Sequence, residues 1–514
     1  MTQPEIWLQR IAWLSLAVFS VLWLARWPMF PLVLDPYYHL LIAQQVADAG
    51  GPIAYEWWQY APGGRPHLYP PILHVGLAGL LTAGVSPLTA IRLFSVALLP
   101  LLLLSLYHVM KRLFYPSLAL TCLWIAMVPF GFHLHTAITL AATLALIELL
   151  WLLYAVECGR WMAAALLFAL LSYTHLGLPW ISLVTLLLYG CLRPGIWLQL
   201  WKVALGLLLA APWWWHLLSH REALHPVSRY ENQLLECMPL LMAAACLGVW
   251  VCWRRRGRWL LLLACGLGFS VMAYRYLFRW LNGEGYIPII LLAAVGVDWL
   301  SQRMARVASG HPRQVVMSAC LVGVLCIGPG VARSAGAWQG RWLDSAPFHF
   351  LGAPWVSSKE LEMGFAVHPI MKIVEVVRNQ TAPGEILWSN ASYALGFVTA
   401  LTHRAMSSAM LSEVSATQAF DPLEAAHVIL WFKFDPLPGQ VSATRLSRLR
   451  LNTVFEDEMV VIYRRQDLLP FAHEPRAVMP LCGALGIVLA VVGGVVRDLG
   501  GRRGRARHSE LPPV

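Results

Sequence analysis

Of 514 residues, 58% are hydrophobic and 13% are charged, whereas a soluble protein carries about 25% charged residues. That excludes an ordinary water-soluble fold, which has too little polar surface to cover so many apolar side chains, and makes lipid the solvent for much of the chain. The formal net charge of +11 does not imply nucleic acid, because the arginines stand at the ends of apolar runs, as in Arg254, Arg255, Arg256 and Arg258 and in the tail from Arg497 to Arg507, which is the positive-inside pattern of membrane proteins.

The first apolar run, Ile11 to Phe30, is long enough to span a bilayer core of about 30 Å. Pro31, Leu32 and Val33 follow it, with no small-x-small cleavage pattern, so it reads as a retained signal anchor. Further spans are expected near residues 89–110, 117–134, 136–156, 161–176, 178–192, 197–217, 237–253, 259–278, 284–300, 314–331 and 478–496. The run Pro71–Ala83 is amphipathic and too short to cross, and reads as an interfacial or re-entrant helix. With the N-terminus inside, the basic loops at Lys111–Arg112, Arg160, Arg193 and Lys202, Arg254–Arg258, and Arg303, Arg306 and Arg313 all fall inside, together with the basic tail. The expected fold is a polytopic α-helical membrane protein of about twelve transmembrane helices, set in the plasma membrane with its N-terminus cytoplasmic.

Three segments then face outward: a first loop over 35–70, a shorter loop over 218–236, and a domain over 332–476. The last holds strand-like runs at Glu385–Trp388, His427–Phe432 and Glu458–Tyr463 and a helix-like run at Met371–Asn379, the pattern of a small extracytoplasmic α/β domain. The expected division is a membrane domain over 1–331, the outer domain over 332–476, a final transmembrane helix over 477–496 and a cytoplasmic tail over 497–514. The cysteines sit in apolar stretches, none falls between Ala332 and Pro470, and none has metal-ligand spacing.

The first loop carries Asp35-Pro36-Tyr37-Tyr38-His39 and then Gly64-Arg65-Pro66-His67-Leu68-Tyr69-Pro70-Pro71. A carboxylate at the outer end of the first span is within reach of a metal or a polar acceptor, and Pro36 stops the span from simply continuing. Tyr38, His39, Arg65, His67 and Tyr69 are the candidates for substrate contact beside it; the competing reading is an interfacial aromatic belt. His133 and His135 either ligate a transition metal with Asp35 or are interfacial histidines. In the second outer loop Glu231 is the best candidate acid, with Glu222 and Glu236 competing. Arg279, with Arg275 near it, is either functional or snorkels to the interface. Glu148 lies within an expected span, where a carboxylate costs free energy unless partnered. His108 and His175 read as helix-end histidines, and Trp213, Trp214, Trp215 and His216 as part of the belt. No strand-led glycine-rich phosphate loop, Cys-x-x-Cys or nucleophile elbow occurs, which favours a lipid-linked sugar over a soluble nucleotide donor.

Asp35-Pro36-Tyr37-Tyr38-His39 at the end of the first span resembles the first acidic motif of the GT-C glycosyltransferases. The closest resemblance is to the oligosaccharyltransferase catalytic subunits of the archaeal and bacterial single-subunit type. It continues through the helix led by Pro70 and Pro71, the turn at Lys111 and Arg112, and the outer α/β domain. It implies transfer of a sugar or oligosaccharide from a polyprenyl phosphate or pyrophosphate carrier, in the membrane lipid, to an acceptor protein or envelope glycan on the outer face. Asp35 would be catalytic and bind a divalent metal, Mn or Mg, with His133 and His135 as further ligands. Arg279, flanked by Arg275, would hold the lipid phosphate, Glu231 would be the later catalytic acid, and Trp388 would contact the acceptor. Two departures stand out. Phe132-His133-Leu134-His135 replaces the second Asp-x-Asp, and Ile386 to Tyr393 keeps only the strand and first Trp of the acceptor motif, so an asparagine acceptor is not implied. The alternatives are a transporter or flippase-like protein with Glu148 and Arg279 on its path, against which no repeat relates the halves, and a glycolipid-binding relative without turnover.

Overall fold

The computed structural model describes residues 3–225, 234–237, 239–274, 276–308, 311–327, 331–334, 337–338, 370–410, 413–433, 446, 448–469, 471 and 475–500. Glu231 and Arg275, two of the expected site residues, lie outside them.

The chain is a helical membrane protein. The N-terminal part contains α1 (Gln3–Leu24), α2 (Asp35–Asp48), the strand pair β1 (Tyr55–Glu56) and β2 (Arg65–Pro66), α3 (Ile72–Thr82) and α4 (Pro87–Leu113). It continues with α5 (Pro116–Ala126), α6 (Phe130–Ile138), α7 (Leu140–Glu157), α8 (Trp161–Thr174), α9 (Leu178–Leu192) and α10 (Trp197–Ser219). Next in the chain come β3 (Leu234–Cys237), α11 (Pro239–Arg255), α12 (Trp259–Ser270), α13 (Leu277–Asn282), α14 (Tyr286–Ala308) and α15 (His311–Ile327). Among the described residues five helical stretches are long and apolar enough to cross a membrane, where about twelve spans were expected. The expected span over 117–134 is two helices, α5 and α6, bent by 82° at a break. Pro129 precedes α6, and a proline there removes a backbone donor and disfavours helix in the residue before it. The His-x-His pair therefore rides on a short separate helix.

Small residues let the membrane helices approach closely. On α11, a Cβ added at Gly248 would meet the Leu292 carbonyl of α14 at 1.8 Å, so only glycine fits that crossing.

The C-terminal α/β part holds β6 (Leu387–Ser389), β7 (Val428–Phe432), β8 (Leu451–Glu456) and β9 (Val460–Arg465), with α16 (Met371–Gln380) and α17 (Ser392–Thr402); α18 (Leu481–Gly500) ends the described chain. The sheet order is β6-β7-β9-β8, with β6 parallel to β7 and the other pairs antiparallel. A separate three-stranded sheet, β3-β4-β5, uses β4 (Val331–Ser334) and β5 (Ala337–Trp338).

This α/β part and the segment that follows α1 share one hydrophobic core. Tyr37, Leu41 and Leu73 are buried together with Ile373, Phe397, Val428 and Ile462, and each fully buried side chain of this kind contributes about 1.5–3 kcal/mol. Tyr37 meets the Phe397 ring edge-on at 4.9 Å, Gln44 Nε2 donates to the Ala400 carbonyl at 3.0 Å, and His403 Nε2 lies 2.8 Å from Asp48 Oδ2. The docking fixes α2, and with it the position of Asp35.

Candidate active site

Asp35 opens α2 with Pro36 behind it in the first turn. Proline suits a position whose amide would lack a helical partner, and a carboxylate suits the positive end of the helix. The side chain keeps partial exposure, yet protein surrounds it closely enough that burial raises its carboxyl above the usual range; Arg279 and His135 pull the other way, and Glu413 adds to the rise. Tyr69 shares these surroundings. Burial and then Asp35 push its hydroxyl up, Arg279 opposes them, and Glu413 and Glu284 add to the rise.

Glu284 is the hub of the membrane side. It is fully buried, with Oε2 3.3 Å from His135 Nε2, and with Oε1 3.4 Å from Arg279 Nη1 and 4.0 Å from His175 Nε2. His175 Nδ1 accepts the amides of Gly177 and Leu178, each at 3.1 Å. That leaves the proton on Nε2, on the side facing Glu284. Glycines flank Glu284. A Cβ on Gly283 would come within 2.7 Å of His135 Nε2 and 2.9 Å of the Arg279 carbonyl, so this approach requires glycine.

Behind Tyr69 the first loop is an ionic and imidazole network. Glu56 is 1% exposed and accepts from Arg65 Nε at 2.8 Å, His67 Nδ1 at 2.7 Å, Gln59 Nε2 at 2.8 Å and Tyr38 Oη at 3.1 Å. Burial would raise its carboxyl, but Arg65 and then His67 outweigh it and hold the group down at about 2. His39 Nδ1 and His74 Nε2 share a hydrogen bond of 3.0 Å. Burial, reinforced by the neighbouring His67 and His175, lowers His39 to about 3, and burial lowers His74 as well. Both imidazoles are therefore neutral at ordinary pH.

The structure thus gathers Asp35, Tyr69, Arg279 and His135 of the expected set. Tyr38, His39, Arg65 and His67 support that centre from behind. His133 sits on the opposite side of α6, with Nε2 donating to the Ala126 carbonyl at 2.8 Å and its ring edge-on to Phe19 of α1. One turn of helix cannot aim both histidines at Asp35. Trp388 packs with Leu423, Ala426 and Ile429 on the C-terminal sheet, away from the group around Glu284. Glu148 accepts from Thr174 Oγ1 at 2.9 Å and ties α7 to α8. Sequence reasoning missed Glu284 and Glu413. The signal for Glu284 was a carboxylate between two glycines at the head of an apolar run.

Comparison with known structures finds proteins of similar fold. ArnT from Cupriavidus metallidurans, solved bound to undecaprenyl phosphate, superposes with a TM-score of 0.53 at 15% identity over 90% of this chain and 99% of that one. Its apo state gives 0.56 at 14% identity over 88% and 98%. The archaeal oligosaccharyltransferase AglB from Archaeoglobus fulgidus, in complex with an inhibitory peptide and a dolichol-phosphate, gives 0.52 at 10% identity over 81% and 69%. No family model and no curated protein sequence matches the chain. At these identities the likeness establishes the fold.

Proposed function

We propose that this protein is a membrane glycosyltransferase that moves a sugar or oligosaccharide from a polyprenyl phosphate or pyrophosphate to an acceptor protein or envelope glycan, on the extracytoplasmic face of the plasma membrane. The observation that carries the reading is the meeting of Asp35, Tyr69, Arg279, His135 and Glu284 under the outer domain of a GT-C fold. The likeness to ArnT and AglB, solved with undecaprenyl phosphate and dolichol-phosphate, supports the choice of donor. In this orientation the N-terminus is cytoplasmic and residues 332–476 lie outside.

Arg279 receives the carrier phosphate, where its charge stabilises the negative charge that gathers on the leaving oxygen. His135 and His175 flank the same point, and Glu284 holds all three donors in place. The acceptor enters between α2 and the outer domain. As the bond from the anomeric carbon to the phosphate oxygen breaks, its electron pair leaves with the phosphate, a bond forms from the acceptor heteroatom to that carbon, and the acceptor proton passes to Asp35. A carboxylate raised by burial is a better base than one in water.

The nearest donors for a divalent cation, Mn or Mg, are Asp35, His135, Glu284 and Glu413. Among the described residues no three such side chains converge as an ion would require, and Glu284 already answers Arg279 and His135. The residues do not form a ready cage, and no step is assigned to a metal.

The test is transfer from a labelled polyprenyl-linked sugar pool in membranes holding the wild type or Asp35→Asn, with and without EDTA. Loss of about a hundredfold or more in Asp35→Asn supports the base role. Undiminished transfer removes Asp35 from the chemistry, and transfer abolished by EDTA and restored by Mn or Mg shows that the donors regroup around an ion.

A further inference from the structure

At the end of α14 remote from Glu284, two arginines lie on a pair of indole rings. Gly248 and Gly296 let α11 and α14 cross at close range: an added Cβ would meet the Leu292 carbonyl at 1.8 Å and the Ala244 carbonyl at 2.1 Å. That crossing sets Trp250 of α11 edge-on to Trp299 of α14, with ring centroids 5.4 Å apart and planes at 81°. Arg254 lies over the Trp250 ring at 5.5 Å, and Arg303 over the Trp299 ring at 4.4 Å. Each arginine is four residues beyond its indole, the spacing that puts two side chains on one helix face.

Both arginines are exposed, and among the described residues neither has an ion pair or a hydrogen bond. The buried acid of this end, Asp298, is engaged by Tyr115 Oη at 2.6 Å, Ser117 Oγ at 3.2 Å and Gln302 Nε2 at 2.7 Å. Arg256 adds a third cation, at φ +57° in the turn after α11 and over the Trp253 ring at 3.8 Å. Trp250 and Trp253 are 43% and 45% exposed, and tryptophans of that kind mark the boundary between hydrocarbon and water. The helical stretch that ends with α14 is long and apolar enough to cross a membrane, so lipid headgroups surround its end. A guanidinium is a planar fork that matches a phosphate, and stacking on a ring fixes that fork before any ligand arrives.

We propose that Arg254, Trp250, Trp299 and Arg303 form a binding site for an anionic phospholipid. The two guanidiniums hold its phosphodiester, and an acyl chain runs toward the membrane centre past Trp250. The bound lipid bridges α11 and α14 and so stabilises their crossing. It is a different ligand from the carrier whose phosphate goes to Arg279, because Tyr286 and Arg303 stand about 26 Å apart along the axis of α14. The site does not depend on the glycosyl-transfer reading. With the N-terminus cytoplasmic it belongs to the inner leaflet.

The full chain in neutral detergent is titrated with phosphatidylglycerol, phosphatidylcholine or inorganic phosphate while thermal unfolding is followed, and native mass spectrometry counts the lipid retained. Phosphatidylglycerol is expected to raise Tm to a plateau, as a ligand of the folded state does, and the other two are not. Arg254→Gln/Arg303→Gln is expected to weaken phosphatidylglycerol binding about tenfold or more. Arg254→Lys/Arg303→Lys falls between, since lysine keeps the charge but loses the stacked fork. Arg10→Gln/Lys202→Gln removes two cations from other helices and is expected to keep the full Tm shift, as is Arg279→Ala. Equal stabilisation by phosphatidylcholine or by inorganic phosphate overturns the anionic lipid as occupant. Unchanged affinity in the glutamine pair overturns the site, and so does an equal loss in Arg10→Gln/Lys202→Gln, which would mean that any cation serves. A loss of the shift in Arg279→Ala would place the lipid at the other end of α14 and overturn it too. Should the glutamine pair not fold, the lysine pair decides: retention of phosphatidylglycerol at the wild-type level overturns the site.

Discussion

Glu284 stands 3.3 Å from His135, a fully buried carboxylate at the head of α14 facing the second histidine of a His-x-His pair on α6. His135 comes from α6 and Glu284 from the turn before α14, and Arg279 closes the group from α13 at 3.4 Å. One acid thus orients the donors that face Asp35.

Glu284→Gln is accordingly expected to do more than remove a charge. It leaves Arg279 without its buried counter-ion, and breaking a buried pair costs about 3–5 kcal/mol. Thermal unfolding in detergent should show a clearly lowered Tm, and transfer should fall with donor affinity. Glu284→Asp should recover part of both. A Gln variant with wild-type Tm and transfer would remove Glu284 as the organiser of the centre.

Gly283→Ala tests the same geometry from the backbone. The added Cβ meets His135 Nε2 at 2.7 Å and the Arg279 carbonyl at 2.9 Å. Overpacking of this kind costs about 1–3 kcal/mol, and the imidazole must swing from Glu284. Transfer should fall well beyond what the stability loss explains. His135→Ala in the same chain should relieve the clash, so the double variant is expected to be more stable than the sum of the single effects. Simple additivity of the two would show that the alanine does not press on the histidine.

How much of this was legible depended on the scale of the signal. Apolar runs and arginine placement revealed a helical membrane protein because every run repeats the same physics. The break after the first span was legible because Asp35 and Pro36 share one helix start. The strands at Leu387–Ser389, Val428–Phe432 and Val460–Arg465 fell within or beside the expected runs, whereas β8 and α17 were not recognised. His133 and His135 looked equivalent in a continuous span, but the 82° bend at Pro129 separates their directions. Glu284 and Glu413 were illegible for another reason. Their partners lie 149 residues back at His135 and 378 back at Asp35, and no local pattern records a meeting across such distances.

Arg279 separates charge from shape. Arg279→Lys keeps a cation but loses the planar fork that matches a phosphate, and Arg279→Ala loses both. Undecaprenyl phosphate affinity should drop about tenfold in the lysine variant and about a hundredfold in the alanine variant, and the donor KM should rise in the same order. If the two variants bind alike and as tightly as the wild type, Arg279 is not the phosphate contact, and its bond to Glu284 is only structural.

The first-loop network predicts a pH dependence of stability with a definite sign. His39 is held near 3 and His74 is lowered, whereas an unfolded histidine titrates near 6.5. Between those values the unfolded chain binds protons that the folded chain refuses, so stability rises with pH across that window and is lost as pH falls through it. Glu56, held at about 2, acts in the same direction over a more acid range: its contribution is present above the unfolded carboxyl value and disappears as pH falls towards 2. Each group contributes at most about 1.4 kcal/mol per pH unit. Thermal unfolding of the full chain in detergent should therefore show Tm falling from near pH 6.5 downward, with a further fall below about pH 4.5. His39→Gln/His74→Gln should flatten the upper part of that profile, and Glu56→Gln the lower part. A Tm profile flat between pH 6.5 and 4.5 in the wild type would mean that the two imidazoles are already protonated in the folded protein, and that the 3.0 Å contact between them is not the neutral pair described above.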